Sequence, residues 1–360
     1  MPSTYMQPAF TTEAGVTLHD VPVAYRTWGQ RNAAGTNAVL VCHALTGDAN
    51  AAAWWADLFG PGRALDPERD FIICANVPGS PYGSVSPTTT NPDTGTSYSA
   101  AFPDFTVRDT VALHYHLLDA LGVRRVRCAI GGSMGGMQVL EWAFARTDTG
   151  EPLVERIVPI AVGGRHTPWQ IGWSEAQRQA IYADPNWQEG AYAATDPPTD
   201  GLAAARAMAM VSYRSHASFQ ERFGRQRQSE NGAEAEPRET PFAVESYLRY
   251  HGAKLVDRFD AACYVQLTRQ MDTHNVARGR TGSYRDVLAR ITQPALVVGI
   301  DSDVLYPLSE QEELAAHLPN AALQVLASPH GHDAFLIEQD ALNALIVQWK
   351  NAPAASATAR

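Results

Sequence analysis

The five residues Gly131-Gly132-Ser133-Met134-Gly135, set between the apolar run 126–130 and the helix-favouring stretch 137–143, constrain this chain more than any others. Glycines around a serine at a strand-to-helix junction predict a turn too tight for larger neighbours. Such a turn leaves Ser133 Oγ in the open at the N-terminus of the following helix. There the first N–H groups lack intrahelical partners and carry partial positive charge, so one of them can donate to an oxyanion forming beside the serine. Acyl transfer is the chemistry this arrangement serves.

Short apolar runs at Ala38–Cys42, Phe71–Ala75, 126–130, 157–162 and Ala295–Ile300 alternate with helical patterns such as 106–121. That alternation predicts an α/β class with a mostly parallel central sheet covered on both faces, because strands buried on both sides read as unbroken apolar runs. Residues 16–28 alternate more, as an antiparallel pair at the sheet edge does. Between Gly164 and Arg280 the strand-like runs give way to helical stretches at 202–215, 242–252 and 255–271, and Trp169, Trp173, Tyr182 and Trp187 gather there. The expected organisation is a core of residues 1–163 and 281–360 with a helical lid inserted at 164–280. Within the insertion, the polar stretch 226–240 predicts a mobile surface loop, and the last dozen residues predict a frayed tail.

A chain of 360 residues exceeds what one hydrophobic core usually serves, in keeping with a core plus an insertion. Its net charge of −10 argues against a nucleic-acid partner, which needs clustered Lys and Arg. The N-terminus has no basic segment leading into an apolar one, and no run approaches membrane-spanning length, so a cytoplasmic protein without a membrane partner is expected. Cys42, Cys74, Cys128 and Cys263 show no C-x-x-C spacing, which points to buried free thiols and away from a metal site.

A serine hydroxyl is a poor nucleophile until a base takes its proton, and the base must be held in orientation by a third group. In sheet domains of this kind the partners come later in the chain, acid before histidine. Asp301 and Asp303 follow the run Ala295–Ile300, and His330 and His332 follow the run 323–327. Asp303, four residues before the turn-forming Pro307, is the expected acid, with Asp301 capping a turn. His332 is the expected base, because Gly331 before it lets the backbone approach the serine, and His330 is the fallback. The loop after Ala38–Cys42 is expected to supply a second oxyanion donor, the Leu45 N–H, with His43 holding that loop in place.

Together, His43-Ala44-Leu45-Thr46-Gly47, Gly131-Gly132-Ser133-Met134-Gly135-Gly136-Met137-Gln138, Val244-Glu245-Ser246-Tyr247-Leu248, Arg258-Phe259-Asp260-Ala261 and Gly331-His332-Asp333-Ala334-Phe335-Leu336 resemble the homoserine O-acetyltransferase family. The likeness runs from about Tyr25 to Phe335, and generic esterases share only the serine turn. It implies an α/β-hydrolase fold with a helical lid, a Ser133-Asp303-His332 triad and an oxyanion hole made by the Leu45 and Met134 N–H groups. It also implies ping-pong transfer of acetyl from acetyl-CoA to the hydroxyl of L-homoserine, with no resident cofactor, and a homodimer formed through the lid helices. By the same resemblance Arg206 holds the amino acid's carboxylate and Asp333 its ammonium.

The residues agree with those two roles. Asp333 is fixed beside the base, and Arg206 and Tyr213, seven residues apart, share a helix face, so guanidinium and phenol can point into one cleft. Arg214, on a neighbouring face, competes for the carboxylate. Ser80-Pro81 stand where many members carry Gly-Cys, and Asn275 stands where Asp is common, which keeps serine open as an acceptor. Succinyl as donor and plain ester hydrolysis are the further alternatives, although succinyl-using members often carry leucine at the position of Met134.

Overall fold

A computed structural model describes residues 2–227 and 240–352. Eight strands form one sheet in the order β1-β2-β4-β3-β5-β6-β7-β8. They are β1 (Ser3–Thr11), β2 (Thr17–Trp28), β3 (Ala38–Cys42), β4 (Phe71–Ala75), β5 (Val126–Gly132), β6 (Ile157–Ile160), β7 (Ala295–Ile300) and β8 (Ala321–Leu326). β1 pairs antiparallel with β2, and β2 antiparallel with β4. From β4 to β8 every pairing is parallel. Residues 16–28, expected as an antiparallel edge pair, form the single strand β2 instead; its edge partner is β1, which was not legible because its residues are mostly exposed and no apolar run marks it.

Unbroken apolar runs in the central strands follow from two covered faces. Leu40, Ile73, Ala129 and Val297 point to one side, into the packing of the Val107–Ala120 and Met134–Trp142 helices. Val41, Ile72, Ile130 and Val298 point to the other, where the C-terminal helix Gln339–Asn351 adds Leu342 and Ile346. Parallel strands need long crossovers, and those crossovers put helices on both faces.

Between β6 and β7 the described chain is helical: Pro168–Tyr182, Thr199–Ser212, His216–Phe223, Ala243–Val256, Ala261–Asp272 and the short Tyr284–Leu288. The break expected near residue 254 lies later. One helix continues through Val256, and the next starts at Ala261, where the Asp260 carboxylate accepts the Cys263 N–H at 2.9 Å. A capping aspartate outranks the apolar periodicity that bridged the gap. These helices share the core of the sheet: Ile181, Leu202, Leu255 and Tyr264 belong to the same buried cluster as Leu40 and Ile73, while Met210, Phe223 and Tyr247 form a small cluster among the inserted helices themselves.

The loop expected at 226–240 lies, except for its ends, outside the described residues. The tail expected over the last dozen residues is helical through Asn351, and its remainder also lies outside them. All four cysteines are buried and free. No helix of the described residues is long and apolar enough to cross a membrane.

Candidate active site

The strand ends bring the site together. The loop after β3, the turn after β5, and the loops after β7 and β8 all leave the carboxyl edge of the parallel strands, where open α/β sheets gather their functional groups. Ser133 sits at the tip of the turn after β5 with φ 56° and ψ −125°, a left-handed backbone conformation that a side chain rarely adopts. Its own N–H is tied to the Ile160 carbonyl of β6 at 2.9 Å. The flanking glycines are there for space: a Cβ on Gly131 would come within 2.6–2.8 Å of the Gly135 and Cys42 backbones. One on Gly132 would stand 2.7 Å from the Phe335 ring.

Asp303 and His332 meet as expected. His332 Nδ1 donates to Asp303 Oδ2 at 2.6 Å, while Asp303 Oδ1 accepts the N–H groups of Leu305 and Tyr306 at 2.8 and 2.9 Å. The carboxylate is thus held by its own loop and aims one oxygen at the imidazole. Burial alone would push His332 down, but the hydrogen-bonded Asp303 carboxylate, with Asp333 adding to it, holds it above the ordinary histidine value. Nε2, the nitrogen left over, is buried and has no hydrogen-bond partner, so the bond to Ser133 Oγ is not formed in this structure. The ring lies next to the serine turn nonetheless, because the Phe335 ring that crowds Gly132 also packs on His332 at 5.6 Å. Catalytic serine–histidine bonds are often open before substrate enters.

The alternatives fall away on geometry. His330 lies toward Ser218 and Glu338, 3.5 and 3.8 Å off, and away from Asp303. Asp301 does not cap its own turn as expected: its carboxylate accepts the Ser328 N–H at 3.0 Å and ties the loop after β7 to the loop after β8. Gly331 does not bring the backbone against the serine as expected. At φ +69° it packs against the backbone of Arg214 and Ser215 instead, so it lets the histidine loop dock on the segment between the Thr199–Ser212 and His216–Phe223 helices.

The loop after β3 is braced from several sides. His43 is buried, donates from Nδ1 to the Ala44 carbonyl at 2.9 Å and accepts the Val77 N–H on Nε2 at 3.0 Å, the structural role expected of it. Burial pushes its imidazole down, against the pull of the Ala44 carbonyl. Gln138 of the serine helix donates to the His43 carbonyl at 3.2 Å. Leu45 lines the same cavity as Ser133, and among the described residues neither its N–H nor that of Met134 is taken by a protein acceptor. Two unpaired donors beside a strained serine suit an oxyanion.

Arg206 lies over the Tyr213 ring at 5.5 Å, and that ring packs on His332 at 5.8 Å, so the expected common face is real. Arg214 is engaged differently, with Nε 3.4 Å from Asp333 Oδ2. Arg206 makes no ion pair among the described residues, which leaves it as the guanidinium able to take a carboxylate. Burial pushes the Asp333 carboxyl up, against the opposing pull of Arg214, His332 and Arg206.

Sequence reasoning missed two features. Arg258, read only as part of a motif, donates to the Thr46 carbonyl at 2.9 Å and to the Tyr82 hydroxyl, and so braces the inserted helices against the loop that carries Leu45. His166, in the cavity wall, is linked through the partly buried Asp272 to the buried Arg178, with Nδ1 3.1 Å from Asp272 Oδ1 and Arg178 2.8 Å from Oδ2. An interval of 106 residues separates the imidazole from the carboxylate, and no local pattern links them.

A family model described as the alpha/beta hydrolase fold matches residues 37–339. The homoserine O-acetyltransferase of Salinibacter ruber is 68% identical over 350 residues, covering 97% of each chain. That of Nostoc punctiforme is 55% identical over 343 residues, 94% of this chain and 93% of the relative. Among solved structures, a homoserine O-acetyltransferase from Bacillus anthracis superposes with a TM-score of 0.88 at 23% identity, covering 99% of this chain and 98% of that one. Esterase E22 superposes at 0.86 with 26% identity, covering 97% and 99%.

Proposed function

The chain belongs to the homoserine O-acetyltransferase family of acyltransferases on the α/β-hydrolase fold, and we propose that it moves acetyl from acetyl-CoA to the hydroxyl of L-homoserine through an ester on Ser133. In the first half-reaction Ser133 Oγ attacks the thioester carbonyl and its proton passes to His332 Nε2. The tetrahedral oxyanion accepts hydrogen bonds from the Leu45 and Met134 N–H groups. As it collapses the carbon–sulfur bond breaks, and His332 returns the proton to the thiolate, releasing CoA. In the second half-reaction the homoserine hydroxyl gives its proton to Nε2 and attacks the acyl carbon. The bond to Ser133 then breaks and the proton returns to Oγ. Asp303 keeps the imidazole in the tautomer that leaves Nε2 free for both transfers.

The observation that carries this reading is the His332–Asp303 bond of 2.6 Å, whose partnerless Nε2 lies next to the turn that presents Ser133. Arg206 takes the substrate carboxylate and Asp333, beside the base, its ammonium. Residues 164–280 act as the lid that keeps water, the rival acceptor, from the acyl-serine. Exposed Met208, Val211 and Tyr250 on the lid helices Thr199–Ser212 and Ala243–Val256 form the face of a homodimer, and the setting is cytoplasmic methionine biosynthesis.

Thiol release from acetyl-CoA, followed with and without homoserine, tests the transfer. Release that rises at least tenfold with the amino acid is the expected result, whereas equal release without it would make the protein an ester or thioester hydrolase.

A further inference from the structure

The cavity that opens on Ser133 is walled on one side by the Pro168–Tyr182 helix, which buries an unusual run of polar side chains: Gln170, Ser174 and Gln177 in the wall itself, and Arg178 outside it. A helix normally buries its apolar stripe, so a buried polar stripe needs partners. Two of the four have them. Gln170 donates to the Leu305 carbonyl and to Glu310, both at 2.8 Å, and Arg178 reaches Asp272 and Glu175 through Nε and Nη2, its Nη1 being without a partner among the described residues. Gln177 is half satisfied, since its Oε1 accepts the Tyr264 hydroxyl at 2.7 Å while Nε2 has no acceptor among the described residues. Ser174 Oγ is likewise without a partner there.

His166 completes this wall. Because a carboxylate can only accept, Nδ1 carries the hydrogen it shares with Asp272, and in the neutral ring Nε2 is left with a lone pair and no donor among the described residues. Its ring stacks on Tyr306 at 6.0 Å, and Tyr306 stacks on His332 at 5.1 Å. His166 therefore stands two ring spacings from the base, too far to share in its proton transfers but along the same cavity.

We propose that His166, Ser174 and Gln177 form the subsite that holds the amide-bearing arm of the acyl-CoA donor. The proposal rests on the acyl-CoA reading given above. A secondary amide offers one N–H and one carbonyl. His166 Nε2 is the acceptor for the first, Gln177 Nε2 a donor for the second, and the Ser174 hydroxyl can serve as either. None of the three is a carboxylate, an ammonium or a guanidinium, which suits an amide and not the two charged ends of an amino acid; those have Arg206 and Asp333. The arm places its first amide two carbons from the sulfur, so it falls a short way from the reacting carbonyl, as this wall does. Between the polar groups Trp173, Met271 and Leu305 give the apolar surface that the methylenes need.

The test compares donors with and without the arm. His166→Ala, Ser174→Ala and Gln177→Met are assayed in the first half-reaction with acetyl-CoA and with p-nitrophenyl acetate, and in the full reaction for homoserine KM. The expected result is a rise of about tenfold in acetyl-CoA KM for His166→Ala and Gln177→Met, the loss of one buried hydrogen bond, with p-nitrophenyl acetate turnover and homoserine KM unchanged. His166→Gln, which retains an acceptor, restores part of the loss. A rise in homoserine KM alone would overturn the subsite and give the wall to the acceptor, and an equal loss with both donors would make it a structural wall. Wild-type protein that uses p-nitrophenyl acetate but not acetyl-CoA would instead remove the acyl-CoA reading, and the subsite with it.

Discussion

At the scale of single residues, the account turns on how one carboxylate divides its oxygens. Asp303 gives Oδ1 to two backbone N–H groups and Oδ2 to His332, so an asparagine there cannot satisfy both sides: its amide nitrogen must face a donor. Asp303→Asn is expected to keep the fold and to lower kcat by roughly 10³ to 10⁴, as loss of the correct tautomer does in comparable triads. Circular dichroism and steady-state kinetics check the two halves of that statement. The pH profile belongs here too. Proton transfer needs neutral His332, and burial, which lowers its pKa, is outweighed by the Asp303 carboxylate. Thus kcat/KM falls as pH drops, with a midpoint above the ordinary histidine value near 6.5. A midpoint below that value would contradict the pairing. Ser133, Asp303 and His332 could be picked out in sequence because each follows an apolar strand. Arg206 and Arg214 could not be ranked there, since only the contact of Arg214 with Asp333 separates them.

At the scale of elements, the serine turn works because a helix starts almost on top of a neighbouring strand. A Cβ on Gly135 would land on the Cys42 carbonyl at the end of β3, and one on Gly136 would stand 2.6 Å from Val162. Gly135→Ala is therefore expected to destabilise the protein by at least ~3 kcal/mol, the tail of single-substitution effects, because neither backbone can give way. Gly172, within the Pro168–Tyr182 helix, is the internal control: nothing lies within 4 Å of its Cβ position. Gly172→Ala is expected to be neutral or stabilising by up to ~1 kcal/mol, because alanine is the better helix former. Chemical denaturation of both variants gives the comparison, and similar losses would sink the packing argument. These glycines were legible from spacing alone. The exposed strand β1 and the start of the Ala261–Asp272 helix were not, since an exposed edge shows no apolar run and a cap is a single residue.

At the scale of the whole molecule, the helices over the site are continuous with the sheet. Leu202, Leu255 and Tyr264 share a buried cluster with Leu40 and Ile73, and Arg258 ties the insertion to the loop of Leu45. One shared core predicts one calorimetric transition for sheet and insertion together; a separate early transition for the helices would mean that they pack independently. The sequence showed that the insertion was helical but not that it shares the core of the sheet, because contacts between segments this distant leave no periodic trace. The chain of His166, Asp272 and Arg178 escaped notice for the same reason. The central claim is that the acetyl group resides on Ser133 between donor and acceptor. Peptide mapping by mass spectrometry after brief exposure to acetyl-CoA, with homoserine left out, tests it most directly. The account predicts a single acetyl group on the Ser133 peptide that disappears when homoserine is added and never forms in Ser133→Ala. An acetyl group on another residue that homoserine can discharge, or rapid turnover by Ser133→Ala, would contradict it.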